Sequence, residues 1–154
     1  MAVACGGCER RAMESSRASG WELAAAERAF GRALRARRRA SLTRRVLRRC
    51  LACARLAVRD QRRPVASASV REIPLASITG TLEPNRAAEF DAAFRPVHSA
   101  RRRWTAVWLA EQRGVALPPI SVAAVCGGYA VRDGHHRVSV AHTRGAVTIC
   151  ARIA

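Results

Sequence analysis

A chain of 154 residues has room for one ordinary domain with an extension, enough to bury a core but too little for two independent ones. Hydrophobic residues make up 49% of it, which excludes wholesale disorder, and no apolar run approaches the roughly 18–20 residues of a membrane span. The formal charge of +17 comes from 28 basic residues that are all Arg, so it permits an acidic partner while equally matching the codon bias of a GC-rich genome.

Residues 1 to 20 carry Gly, Ser, Ala and Arg with no sustained apolar period, and a disordered tail is expected there. They also lack the apolar stretch of a signal peptide, so a cytoplasmic location and no membrane partner are expected. From Trp21 to about Asp60, Phe30, Leu34, Leu42, Val46, Leu47, Leu51 and Leu56 recur at steps near three and four among arginines. That is an amphipathic helical pattern, an Arg-rich extension over residues 21 to 63. Ser41 fits a second helix cap, leaving one long helix or a helical hairpin open. Residues 1 to 63 hold 17 Arg against 5 acidic residues, so the extension carries most of the charge and is the candidate dock for nucleic acid or an acidic protein. Pro64 and the Ala/Ser run behind it read as a linker over residues 64 to 69.

Residues 70 to 154 read as a compact α+β unit, a small mixed sheet with flanking helices. Glu72-Ile73-Pro74-Leu75 with Ile78 predicts a short strand and turn, and Glu83-Pro84-Asn85-Arg86 a loop. Ala87, Phe90 and Phe94 are spaced for a helix from Arg86 to Phe94; Trp104, Val107, Trp108 and Leu109 for another, ending near Gly114. Leu117-Pro118-Pro119-Ile120 leads into a strand through Val125, Gly127-Gly128 turns it, and Tyr129 to Val131 return. Val138 to Arg144 predicts a helix stopped by Gly145, and Val147 to Ile153 a last strand.

Between the returning strand and that helix lies Asp133-Gly134-His135-His136-Arg137. A Gly-led polar turn at a helix start can offer an anion the first-turn N–H groups, which have no partners inside the helix. The plain alternative is a hairpin turn followed by polar helix-start residues. An exposed helix N-terminus contributes about 0.3–1 kcal/mol to anion binding, so a second cation is needed. Arg86 is the candidate, with Arg132 behind it.

In this order, L-P-P-I-S-V, G-G-Y-A-V and D-G-H-H-R-V-S-V-A resemble the ParB/sulfiredoxin superfamily, over residues 73 to 154. I-x-G-T, the F-D-x-x-F-R-P segment from Phe90 to Pro96 and Arg103-Trp104 look like its stand-alone ParB-like members. The resemblance implies a ParB/sulfiredoxin-like fold and a nucleotide-phosphate site at Gly134, His135, His136 and Arg137, with Arg86. It further implies a nucleoside triphosphate, CTP or ATP, with Mg2+, and a chromosome-partition or other nucleic-acid context. Where sulfiredoxins carry their catalytic Cys this chain has His135, which excludes sulfinic acid reduction by that route. The helix-turn-helix domain of partition proteins does not follow here, so DNA clamping does not come with the likeness, and a homodimer is left open.

His135 and Asp133 are the candidate acid–base pair if the turn serves a phosphotransferase, nuclease or nucleotide hydrolase, since His titrates near neutral pH without tuning. A ligand-free nucleic-acid adaptor is the remaining alternative. Adjacent His135 and His136 diverge at a helix start and are poorly placed to chelate one metal, with His98 and His142 able to join only through the fold. Cys5 and Cys8, with Cys50 and Cys53, form two C-x-x-C pairs. The second sits in a helical pattern about 40 residues away, which disfavours zinc and favours small apolar packing. Cys126 and Cys150 are expected in or beside the sheet.

Overall fold

The computed structural model describes residues 18–47, 56–59 and 69–154. Residues 1–17 of the expected tail, residues 64–68 of the linker and both C-x-x-C pairs lie outside these residues, while α1 already begins at Gly20 and β1 at Ser69. The fold is α+β, as expected: helix α1 (Gly20–Val46), then strands β1 (Ser69–Pro74) and β2 (Ile78–Thr81), a short helix α2 (Pro84–Ala87), α3 (Arg101–Gln112), β3 (Ile120–Val125), β4 (Gly128–Asp133), α4 (His135–Arg144) and β5 (Thr148–Ile153). The five strands make one mixed sheet in the order β1-β5-β3-β4-β2. β1 runs antiparallel to β5 and β3 antiparallel to β4, while β3 with β5 and β2 with β4 are parallel pairs.

The β3–β4 hairpin turns at Gly127-Gly128, α3 gives way at Gly114 and α4 stops at Gly145, where the sequence places them. Cys126 sits at that hairpin and Cys150 in β5, in and beside the sheet as expected. Ile120, Val122, Val131, Ala151 and Ile153 of the sheet form the main core with Val138 and Ala141 of α4 and with Phe90 and Phe94. A second core joins α1 to α3 through Ala29, Phe30, Ala33, Trp104 and Val140. There Phe30 meets Trp104 edge-on at 5.5 Å, and the Trp104 Nε1 donates to Ser139 Oγ at 2.9 Å. Glu22–Arg113 and Glu27–Arg101 ion pairs, at 2.9 and 2.7 Å, flank this contact and set the two helices antiparallel.

Three expectations need correction. Ser41 caps nothing: α1 runs through it as one helix, and the next hydroxyl, Thr43, folds back onto the Arg39 carbonyl. The apolar residues Leu42, Val46 and Leu47 do not join the buried stripe and are 61%, 80% and 55% exposed. Length explains this, because 27 residues of α1 span about 40 Å and the 12 of α3 about 18 Å, so α1 outruns its partner beyond Leu34. The helix expected from Arg86 to Phe94 is only Pro84–Ala87; Phe94 takes a left-handed φ of 54°, and Phe90 bridges back to Pro96. Among the described residues no helix is long and apolar enough to cross a membrane.

Candidate functional site

The Gly134 turn is built by the fold itself. Gly134 is the N-cap of α4 at φ 101°, and a Cβ there would stand 2.5 Å from Ile120 Cγ2, so both the backbone and the packing on β3 demand glycine. Its freedom therefore serves the β3 contact before any approach to a phosphate. No side chain caps α4, whose first helical bond runs from the Val138 N–H to the Gly134 carbonyl at 3.0 Å. The N–H groups of His135, His136 and Arg137 thus precede the ladder of the helix and retain their attraction for an anion.

The side chains that follow go three ways. His135 turns inward: it is 4% exposed, stacks on Phe90 at 6.1 Å, and its Nε2 lies 2.7 Å from the Thr81 hydroxyl. Thr81 also accepts the Glu83 N–H at 2.8 Å, so β2, paired in parallel with β4, delivers the partner that fixes the ring. Burial, and after it the charge of Arg86, brings the His135 pKa down to about 4, leaving a neutral imidazole at neutral pH.

His136 packs edge-on against Phe90 at 5.3 Å, and both of its ring nitrogens are buried without a hydrogen-bond partner. Its Nε2 is 3.9 Å from a Glu89 oxygen, beyond hydrogen-bond reach. Burial lowers its pKa; Glu89 works against that, and Arg86 and Arg103 add to it. Arg86 grips Glu89 through Nη1, at 2.8 and 2.9 Å to the two carboxylate oxygens. The structure therefore gathers Arg86, Glu89, His135 and His136 on one side of the α4 start.

Arg137 leaves by the other side. Its Nη1 donates to the Pro118 carbonyl and its Nη2 pairs with Asp133 at 2.7 Å. Asp133 is 78% exposed and stands in that ion pair, and Arg132 is exposed on β4. Sequence reasoning missed Thr81, Glu89, Phe90 and Arg103 as neighbours of the turn. The I-x-G-T motif was the available signal for Thr81, but not for a contact spanning 54 positions. Gly80 in that motif lets the chain at Ala57 run beside β2 in a parallel bridge, where the Ala57 carbonyl accepts the Thr81 N–H at 2.9 Å and a side chain on Gly80 would collide with it.

Among the described residues no group of three or more His, Cys, Asp or Glu could hold a metal ion. Glu89, paired with Arg86, is the carboxylate beside His136 at the start of α4.

No family model matches the sequence, and no curated protein matches it. Among solved structures, the chain is similar to the sulfiredoxin of Arabidopsis thaliana, at 23% identity over 56% of this chain and 84% of that one, with a TM-score of 0.39.

Proposed function

We propose that the chain is a ParB-like module that binds a nucleotide by its phosphates at the start of α4. The observation that carries this reading is the His136 ring, closed off with neither nitrogen satisfied, beside a helix N-terminus that no side chain caps. An unsatisfied buried polar group costs about 1–3 kcal/mol, and a phosphate drawn to the first-turn N–H groups could accept the ring's N–H and relieve that cost at one of its two nitrogens. Arg86 adds the charge-assisted contact once it exchanges Glu89 for phosphate, and Glu89 is then free for the Mg2+ that accompanies a nucleoside triphosphate. The ion would supply charge neutralisation between the phosphates and Glu89.

Binding is favoured over acid–base chemistry by the state of His135. A general base near neutral pH needs a pKa close to that pH and a free nitrogen facing the reactants. His135 has a pKa of about 4 and spends Nε2 on Thr81, which suits a fixed wall of the site. Calorimetric titration with Mg-CTP, Mg-ATP and Mg-GTP tests the proposal. Saturable heat with one of them, weakened about tenfold by Arg86→Gln and less by Arg137→Gln, is expected. Absence of heat with all three, or equal binding by the Arg86 variant, overturns it.

A further inference from the structure

We propose that the cleft between α1 and the 93–95 turn holds the phosphate backbone of a nucleic acid, on a surface separate from the α4 turn and independent of the nucleotide reading. One wall is a stripe of arginines. Arg28, Arg32, Arg35 and Arg39 follow one another at i, i+4, i+7 and i+11, so they share a face of α1, and all four are exposed. At 1.5 Å per residue they span roughly 16 Å. None of the four forms an ion pair among the described residues, in contrast to the Glu22 and Glu27 end of the same helix.

The other wall is a rigid turn. Asp91 Oδ1 accepts the N–H groups of Ala93 and Arg95 at 3.0 and 2.9 Å, and Arg37 Nη1 ties the Arg95 carbonyl to α1 at 2.9 Å. Between them Phe94 keeps the left-handed φ of 54°, a conformation that L side chains avoid, with its ring buried and stacked on His142 at 6.0 Å. The F-D-x-x-F-R-P segment is thus a device that holds Arg95 opposite α1. Two adjoining cavities of about 560 and 340 Å³ share Arg32, Ala36 and Arg95, and Ala33 and Ala40 keep the floor low.

The side chains lining this groove carry positive charge and no carboxylate. Asp91 behind the turn has a side chain 10% exposed, spends Oδ1 on backbone N–H groups and pairs through Oδ2 with Arg95 at 3.6 Å, so Arg32, Arg35 and Arg39 carry the charge left unpaired among the described residues. Arginine forks match phosphate oxygens, and a duplex presents one negative charge per 1.7 Å, roughly ten over the length of the stripe. An acidic protein seldom sustains that density, and a groove open along a helix suits a continuous backbone.

Fluorescence anisotropy of a labelled mixed-sequence DNA duplex, titrated with the intact chain over a salt series, decides the matter. The double variant Arg35→Gln/Arg39→Gln should weaken binding at least tenfold near 0.1 M salt and flatten the log–log salt slope by about 2, since each phosphate contact contributes about 0.9. Arg71→Gln/Arg152→Gln removes the same charge from exposed sheet positions and should change the slope by less than half as much. Ala36→Glu, which places a carboxylate on the floor and removes no arginine, should match the cleft double. Equal loss from both doubles, no binding by the unaltered chain, or tighter binding of polyglutamate than of DNA each overturns the proposal. The cleft variants should titrate with nucleotide like the unaltered chain, which separates failure here from failure at the α4 turn.

Discussion

Two regions carry prominent arginines and use them in opposite ways. At the α4 turn the guanidiniums are engaged: Arg137 is bound to Asp133 and the Pro118 carbonyl, and Arg86 to both oxygens of Glu89. Along α1, Arg32, Arg35 and Arg39 make no ion pair among the described residues and face a cleft. An anion at the turn would therefore meet backbone N–H groups first, since the arginines there are held by carboxylates, whereas along α1 it would meet the side chains themselves. An arginine within a motif and an arginine available to a ligand are different things.

The largest test of this contrast is to undock α1. Trp104 is fully buried between Phe30 and Ser139, and Trp104→Ala should cost about 3–5 kcal/mol, read as a lower urea midpoint. Nucleic-acid binding by the cleft should fall with the docking of α1, because one wall loses its anchor.

Acid weakens the fold through its buried histidines. The folded His135 pKa of about 4 lies below its ordinary 6.5, so between these values the unfolded chain binds more protons than the folded one. Its stabilising effect is fully present above pH 6.5 and lost as pH falls toward 4, to a total of about 2–3 kcal/mol. His136 and His142, also lowered by burial, act in the same direction. Urea midpoints measured from pH 7 to pH 4.5 should decline, and His135→Gln should flatten part of that decline.

The smallest effect sharpens the contrast most. Glu89→Gln releases Arg86 and removes a negative charge beside the α4 start, which should tighten uncomplexed nucleotide binding by about 1 kcal/mol, roughly fivefold. Titration without Mg2+ measures this, and the cleft should bind DNA as before.

Much of the site's frame was legible because its signals are local. Pro118-Pro119 before β3, Gly127-Gly128 at the hairpin, Gly134 at the α4 start and Gly145 at its end punctuate the chain within a few residues of what they control. The segment from Phe90 to Pro96 was misread because Phe90 and Phe94 have helical spacing, yet their rings enter the core from a turn that Asp91 organises. Leu42 and Val46 misled for a related reason: periodicity shows which face is apolar, while the length of α3 limits how much of α1 can be covered.

The sequence by itself determined an α+β chain with a strand–turn–helix unit around Gly134 and an Arg-rich helix ahead of it, since period, turn residues and charge are properties of short windows. Only the tertiary structure decided that His135 meets Thr81, that Arg137 and Arg86 leave the turn on opposite sides, and that Arg95 faces α1. Those choices follow from the parallel pairing of β2 with β4 and the packing of α1 on α3, contacts between segments dozens of residues apart that no window of the sequence contains.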